Sequence, residues 1–133
     1  MRFMLDTNTC IFSIRRKHPG LLRRIVSYNP GDLGISAITV AELEFGVAKS
    51  SQIEKNRDAL AEFLLPFEIA PFDEDAARTY GFVRAHLESK GTPIGSLDTL
   101  IGAHALSRGI TLVTNNTREF KRIPRLQVAD WSR

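Results

Sequence analysis

Four acidic residues in this sequence could share one site, although they lie far apart along the chain. They are Asp6, Glu42, Asp98 and Glu119. Asp6 directly follows the apolar run Phe3-Met4-Leu5, and each of the others follows a predicted strand or begins a helix beside one. In an open parallel sheet, ligands bind beyond the carboxyl ends of the strands, where the strand order reverses. If the strands that end at Asp6 and Thr114 are neighbours, the four carboxylates share one crevice.

Each acid also has a structural explanation of its own. Asp6 can cap the next helix, residues 39–42 fit a capping box, Asp98 suits the positive end of a helix dipole, and residues 116–119 resemble another cap. Together, however, four acids at one sheet edge would repel one another unless a cation lay between them. Because the donors are all oxygens, Mg²⁺ or Mn²⁺ fits this set better than zinc.

Such a metal can polarise a phosphodiester, lower the pKa of a bound water and stabilise the leaving oxygen during in-line attack. Basic residues that could hold a phosphate backbone occur in two clusters. The first contains Arg15, Arg16, Lys17, Arg23 and Arg24, and the second contains Arg118, Lys121, Arg122 and Arg125. Either cluster alone is typical of a solvated surface. An acidic pocket with a basic rim is nevertheless the electrostatic layout that a metal-dependent nuclease requires.

The elements that would position these acids alternate between strands and helices. Short apolar runs, each followed by an amphipathic stretch, predict βαβ units and therefore a parallel sheet with helices on both faces. Five strands are predicted, at residues 2–6, 33–36, 68–72, 110–114 and 126–128. The sequence thus predicts one α/β domain over residues 1–133, built as a three-layer α/β/α sandwich.

Capping and turn residues set the predicted limits of the helices. Glu42 lies in a helix predicted at residues 38–49, and Ser51 opens a capping box for a helix that reaches about residue 65. A helix at residues 73–90 should stop at Gly91. Ser96 is then predicted to cap a helix that carries Asp98 and ends at Gly109.

Composition excludes several classes of protein. The chain has 133 residues, 43% hydrophobic and 25% charged, which is typical of an ordinary globular domain. No run approaches the roughly 18 apolar residues of a membrane span, and Asp6 interrupts any signal-peptide core, so we expect a cytoplasmic protein. Cys10 is the only cysteine, which excludes an internal disulfide. The net charge of +3 favours a polyanionic partner only weakly.

Several longer motifs together resemble a known family. They are "FMLDTN", "ITVAELEFG", "PIGSLDTLIGAHALSRGITLVTNNTREFKRI" and the closing "LQVADWS". This combination resembles the PIN-domain ribonucleases of the VapC type, the toxins of VapBC toxin–antitoxin pairs, from end to end. The resemblance implies an endoribonuclease in which a metal-activated water hydrolyses the RNA phosphodiester without a covalent intermediate.

The resemblance also assigns roles to individual residues. It makes Asp6 and Asp98 direct ligands of Mg²⁺, and Glu42 the third acid, which holds the metal or its waters. PIN domains often have a further aspartate near the end of the fourth strand, whereas this sequence has Asn116 there. Glu119, acting through water, is expected to take that place, and the departure leaves a second metal in doubt. Thr114 is expected to hydrogen-bond to Asp6 or to a metal-bound water.

Partners are implied by the same resemblance. It implies a homodimer, neutralisation by a VapB antitoxin whose C-terminal segment lies along the active-site groove, and a higher assembly with the antitoxin and its operator DNA. Relatives with the "TNNTREF" ending cut the anticodon region of initiator tRNA, which makes tRNA the expected substrate. If the ligand is tRNA, the first basic cluster could contact it. Contact with RNA and simple exposure to solvent are then equally good explanations of this cluster.

Two other functions remain open from the sequence. One is a catalytically silent PIN-like module that binds RNA or a partner protein, which the neutral Asn116 favours. The other is a phosphorylated receiver domain, which also places aspartates at strand ends around Mg²⁺. It fits less well, because Asp6 stands alone after the first strand and the third strand runs into Pro71-Phe72.

Three further residues with reactive or aromatic side chains are interpreted as structural. His104 extends the apolar stripe of Leu97, Leu100 and Ile101 in its helix, which predicts a buried histidine rather than a general base. Cys10 lies among apolar residues and is predicted to pack in the core. Trp131 is predicted to anchor the C-terminal segment by packing rather than to stack on a nucleic-acid base.

Overall fold

A five-stranded parallel sheet forms the centre of the molecule in the computed structural model, which describes residues 1–16 and 18–132. The strands are β1 (Phe3–Leu5), β2 (Leu33–Ser36), β3 (Glu68–Ala70), β4 (Thr111–Val113) and β5 (Val128–Ala129), in the order β3-β2-β1-β4-β5. β1 pairs with β2 along one of its edges and with β4 along the other, in both cases parallel. The order therefore reverses at β1 and β4, which confirms the predicted switch point.

Helices cover both faces of this sheet and confirm the predicted three-layer α/β/α architecture. The described residues contain α1 (Thr7–Ile14), α2 (Pro19–Val26), α3 (Ala37–Ala48), α4 (Ile53–Leu64), α5 (Glu74–Ser89), α6 (Ser96–Ser107) and α7 (Thr117–Phe120). A 3₁₀ turn at Pro30–Asp32 precedes β2. None of the helices in the described part of the chain is both long enough and apolar enough to cross a bilayer.

Alternating side chains on the strands build two separate cores. Leu5 points into a cluster with residues of α1 to α4, whereas its neighbour Met4 points into a cluster with residues of α5, α6 and α7. Val113 and Leu112 of β4 divide in the same way. Successive residues of a strand point to opposite faces, so a strand covered on both sides reads as a continuous apolar run.

Several predicted boundaries were wrong by a few residues. β2 has its predicted limits, Leu33–Ser36, whereas β1, β3 and β4 are shorter than predicted. β5 is shifted to Val128–Ala129, because Leu126 belongs to a turn closed by its N–H bond to the Ile123 carbonyl. The helix predicted to open with a capping box at Ser51 begins at Ile53, with Gln52 as its N-cap and no side-chain hydrogen bond. Ser96 is the first residue of α6 rather than its cap, which is Gly95.

Other boundary predictions are confirmed. α5 extends over Glu74–Ser89 with Asp73 as its N-cap, and Gly91 follows with a φ of +68°, the left-handed conformation that ends many helices. α3 begins at Ala37 and is capped by Ser36. Since the cap lies at Ser36, the capping-box explanation of Glu42 is wrong, and Glu42 is left with no helix-capping role.

Candidate active site

Asp6 lies at the carboxyl end of β1, at the centre of the sheet. Its backbone N–H donates to the Val113 carbonyl of the neighbouring β4 at 3.0 Å, so the strand ends at Asp6 and Thr114 adjoin. Asp6 is only 2% exposed. Its Oδ1 accepts the Thr9 N–H at 2.9 Å, and its Oδ2 accepts the Thr114 hydroxyl at 2.6 Å. The helix-cap explanation is confirmed, and Asp6 lies at the carboxyl end of β1 beside the end of β4.

Burial is the main influence on the protonation of Asp6. It raises the pKa of this carboxyl, while the hydrogen bonds from Thr114 and Thr9 oppose the increase and the nearby Asp130 carboxylate adds to it. A buried carboxylate is costly unless hydrogen-bond donors or a cation compensate for its charge. Asp6 has donors on both oxygens, and it lies next to further negative charge.

Asp98 is the acid whose environment links the four candidates. Its pKa is raised to about 6, mainly by burial, and further by repulsion from Asp6, Glu42 and Glu119 in that order. The structure thus places Asp6, Glu42 and Glu119 within electrostatic range of Asp98, although the four acids come from the end of β1, α3, α7 and α6. Metal-free, this pocket accumulates negative charge that a cation would neutralise.

Glu42 is held by a threonine that the sequence analysis did not identify. The Thr7 hydroxyl donates to Oε1 of Glu42 at 2.7 Å, and the Thr39 hydroxyl lies 3.2 Å from the Thr7 oxygen. Thr7 has one proton, which goes to the charged acceptor, so Thr39 is the donor in the second contact. The only sequence signal for Thr7 is that it follows Asp6 directly.

The end of β4 differs from the expected acidic pattern. Asn116 is the N-cap of α7 but makes no side-chain capping bond, and its backbone N–H donates to the Thr114 hydroxyl at 2.9 Å. The proposed cap at residues 116–119 is therefore wrong in detail. Glu119 lies in α7 and contributes to the repulsion at Asp98.

Asp130 is a further acid near Asp6, and it was not predicted from the sequence. It follows β5 directly, just as Asp6 follows β1, and Ala129 accepts the Thr114 N–H at 2.9 Å. Its Oδ1 accepts the backbone N–H and the hydroxyl of Ser132. Its position after a strand was a usable signal, but the predicted end of that strand, at residue 128, was too early.

The predicted RNA-binding arginines lie in two different surroundings. Arg15 and Arg16 are exposed at the end of α1, and Arg15 lines a groove that also contains Glu42 and Asp98. Arg23 and Arg24 are exposed in the last turn of α2, where the Arg24 guanidinium lies 5.1 Å from the centre of the Trp131 ring. Lys17 lies outside the described residues.

The donor chemistry of the pocket fits a hard divalent cation. Within residues 1–16 and 18–132, no three Asp, Glu, His or Cys side chains are close enough together to coordinate one ion directly. Mg²⁺ does not require three, because it retains several waters and is usually bound through one or two carboxylates. Asp6 and Asp98 would serve as those carboxylates, with the remaining acids facing the waters.

The residues interpreted as structural are buried. His104 is fully buried, and its Nδ1 lies 2.8 Å from the Ser36 hydroxyl oxygen. Cys10 is fully buried in the core cluster below α1. Trp131 is 5% exposed and stacks on Tyr28, with ring centres 5.2 Å apart. These three predictions are confirmed.

Residues 3–126 match the family model described as PIN domain. This match covers nearly the whole chain. The chain therefore belongs to the PIN-domain family.

Relatives of full length define its group within that family. The chain is 45% identical to the tRNA(fMet)-specific endonuclease VapC of Salmonella typhimurium, over 98% of both proteins. It is 43% identical to the ribonuclease VapC2 of Rickettsia felis over the full length of both. These matches place it in the VapC group.

Solved structures agree with this placement. The DNA-bound VapBC of Salmonella typhimurium superimposes with a TM-score of 0.94 at 44% identity, covering 98% of both chains. The VapBC2 of Rickettsia felis bound to a promoter DNA fragment gives a TM-score of 0.93 at 40% identity, covering 98% of this chain and 99% of the other.

Proposed function

We propose that this protein is a metal-dependent endoribonuclease and the toxin of a VapBC pair. The observation that carries the proposal is the convergence of four acids from distant segments, in which Asp6, Glu42 and Glu119 all raise the pKa of Asp98. A protein that kept these acids for stability alone would separate them, because their mutual repulsion disfavours the folded state. The VapC relatives, whose names describe ribonucleases, support the same function.

Each acid has a distinct part in this proposal. Asp6 and Asp98 hold Mg²⁺, with Mn²⁺ as a substitute, while Glu42 and Glu119 orient water. When bound, the metal supplies a water of lowered pKa and stabilises charge on the phosphate. Thr114 and the Thr9 N–H each donate to one oxygen of Asp6 and together fix the orientation of the carboxylate. Asn116 supports this contact through its backbone N–H, and the neutral side chain leaves the number of metals open.

RNA, and specifically initiator tRNA cut in its anticodon region, is the substrate we infer. A relative 45% identical to this chain is named for tRNA(fMet). The exposed residues Arg15, Arg16, Arg23 and Arg24 would contact the phosphate backbone, which supplies most of the sequence-independent affinity for nucleic acid. Lys17 is proposed for the same role from the sequence alone. Such a substrate places the activity in the cytoplasm.

The partners we infer follow from the neighbouring structures. The two structures described above are VapBC complexes, and both contain bound DNA. We therefore infer that a cognate VapB antitoxin neutralises the protein, that the protein forms a homodimer, and that the assembled pair binds its operator DNA.

Replacing one acid tests the enzymatic part of the proposal. Asp98→Asn should abolish cleavage of initiator tRNA in the presence of Mg²⁺, because the amide removes the charge at nearly constant volume. Asp58→Asn, which changes an exposed acid of α4, should cut at the wild-type rate. The circular-dichroism spectra of both variants should match the wild type. An Asp98→Asn protein that cuts as fast as the wild type contradicts the metal assignment.

A catalytically silent module is the second candidate, and the neutral Asn116 at the fourth acidic position favours it. Incubating the wild-type protein with tRNA, with Mg²⁺ or with EDTA, separates the two functions. We expect fragments with Mg²⁺ alone. RNA that stays intact under both conditions, while still bound by the protein, would establish the silent module instead.

A further inference from the structure

A groove runs from the acidic pocket along α3 to a basic end. Its volume is about 910 Å³, and α1, α3 and α4 form its walls. Glu42 and Asp98 lie at one end, whereas Arg15 and Lys49 line the groove farther on. Negative phosphates would therefore find cations along the groove, beyond the acids that a metal neutralises.

Phe45 lines this groove, and its aromatic ring is exposed to solvent without any contact in the described part of the fold that explains this. It is 64% exposed, although a phenylalanine gains by burial. Glu42, Phe45 and Lys49 follow one another at helical spacing, so Phe45 is displaced from Glu42 by about 4.5 Å along the axis of α3. The Lys49 ammonium lies over the Phe45 ring, 5.0 Å from its centre, so that a cation covers one face and a planar ligand would stack on the other.

We propose that Phe45 is a stacking platform for an unpaired RNA base, and that Lys49 and Arg15 bind the phosphates on either side of it. The identity of the ligand as RNA rests on the function proposed above. Exposed aromatic faces interleaved with cations are the usual means by which proteins hold single-stranded nucleic acid, because every base has a face that can stack. A base within a duplex already stacks on its neighbours, so this subsite selects single-stranded RNA or a loop.

The test compares binding of a short unstructured RNA with binding of a duplex of the same sequence, by fluorescence anisotropy in EDTA so that no RNA is cut. Phe45→Ala should weaken binding of the single strand about tenfold, since loss of one stacked base has roughly that effect. Phe45→Tyr retains an aromatic face and should bind within about twofold of the wild type. Phe82→Ala removes a phenylalanine of α5 that is 57% exposed and lies outside the groove, and it should also bind like the wild type.

Salt dependence separates stacking from charge. Lys49→Gln and Arg15→Gln should each reduce the slope of log affinity against log salt by roughly 0.7, the value for one phosphate contact on a single strand. Phe45→Ala should leave that slope unchanged. Binding of the duplex should be insensitive to Phe45→Ala.

Three results would overturn the stacking proposal. These are wild-type affinity in Phe45→Ala, an equal loss for single strand and duplex, and no measurable binding of RNA by the wild type. Normal RNA binding by Phe45→Ala together with failure to retain the co-expressed antitoxin would assign the groove to a protein partner instead. Cleavage assays with Mg²⁺ distinguish the two proposals. If RNA binds through Phe45 but is never cut, the endoribonuclease proposal is contradicted, whereas the stacking proposal still holds.

Discussion

Two threonine hydroxyls each hold one of the candidate acids through a short hydrogen bond. Thr114 donates to Asp6 at 2.6 Å and Thr7 donates to Glu42 at 2.7 Å, whereas no side chain in the described part of the protein donates to Asp98. A hydrogen bond to a carboxylate is stronger than one between neutral groups, and it also constrains the orientation of the carboxylate. Precise orientation of Glu42 therefore depends on Thr7.

Removing the Thr7 hydroxyl tests this dependence. Thr7→Val should lower the rate of RNA cleavage about tenfold and raise the Mg²⁺ concentration that gives half of the maximal rate, because a charge-assisted hydrogen bond contributes roughly 1.5 to 3 kcal/mol. Thr7→Ser retains the hydroxyl and should recover most of the rate. Thr92→Val changes an exposed threonine and serves as the control. A Thr7→Val protein with the Mg²⁺ dependence of Thr92→Val would show that the contact has no functional role.

The sequence was informative about Asp6 and much less informative about Thr7, for a physical reason. Asp6 directly follows an apolar strand, and the topology of a parallel sheet decides what such a residue faces. The Thr7 contact instead depends on how α1 and α3 pack together, which joins residues 35 positions apart. Asp130 was missed because β5 has only two residues, too few to give a recognisable pattern.

At the scale of the elements, one buried contact joins α6 to the start of α3. The Ser36 hydroxyl oxygen accepts the Ile38 N–H, so its own proton is available to His104 Nδ1, 2.8 Å away. The neutral imidazole ring is favoured here, because a charged ring in a buried position is costly. Burial lowers the pKa of His104, the positive charge of Arg108 lowers it further, and Asp73 opposes the change. Since α6 carries Asp98 and α3 carries Glu42, the contact ties together two elements of the site.

Acid should destabilise the protein through this contact. As the pH falls below 6.5, the ordinary pKa of histidine, the unfolded state takes up a proton before the folded state does, so the free energy of unfolding decreases. His104→Gln should remove this part of the pH dependence while lowering stability at neutral pH, measured by urea unfolding between pH 5 and 7.5. His86→Gln alters a partly exposed histidine of α5 and is the control. An unchanged pH profile in His104→Gln would contradict the buried, neutral histidine.

The number and order of the strands and helices were predicted better than their first and last residues. Buried apolar strands and the left-handed Gly91 leave strong local signals, and all five strands were found. Helix starts were predicted less well, because Ser51 and Ser96 have the better capping side chains, yet Gln52 and Gly95 are the N-caps. Which of two adjacent residues becomes the N-cap is decided by the tertiary direction of the chain, which local sequence does not contain.

At the scale of the whole molecule, the protein has a net charge of +3 and yet groups three of its 15 acidic residues around a fourth, Asp98. Function and stability therefore oppose each other in the metal-free protein. Mg²⁺ that binds only the folded state should raise the melting temperature by mass action, and EDTA should reverse the increase. Differential scanning fluorimetry over a Mg²⁺ titration measures this, and a flat titration would contradict a metal site at the pocket.

Asp98→Asn should abolish cleavage and, in the metal-free protein, increase the free energy of unfolding. The pKa of Asp98 is about 6 in the folded protein and 3.8 as its ordinary value, so between these pH values the folded state holds the proton more tightly than the unfolded state. The stability of the metal-free wild type therefore decreases through Asp98 as the pH rises from about 4 to 6, and the loss persists at higher pH.

In EDTA at pH 7.5, the free energy of unfolding of Asp98→Asn should consequently exceed that of the wild type by about 1 kcal/mol. This difference corresponds to a melting temperature that is higher by a few degrees. The effect is limited to this size because water screens the partly buried carboxylate. The difference should vanish near pH 4, where the wild-type carboxyl is protonated in the folded state, and Asp58→Asn should show no such dependence. Mg²⁺ should stabilise Asp98→Asn less than the wild type, since the variant has lost both the repulsion and a ligand. A variant that is less stable than the wild type at pH 7.5 in EDTA would mean that Asp98 supports the fold, and the crowding of acids would then no longer indicate a metal site.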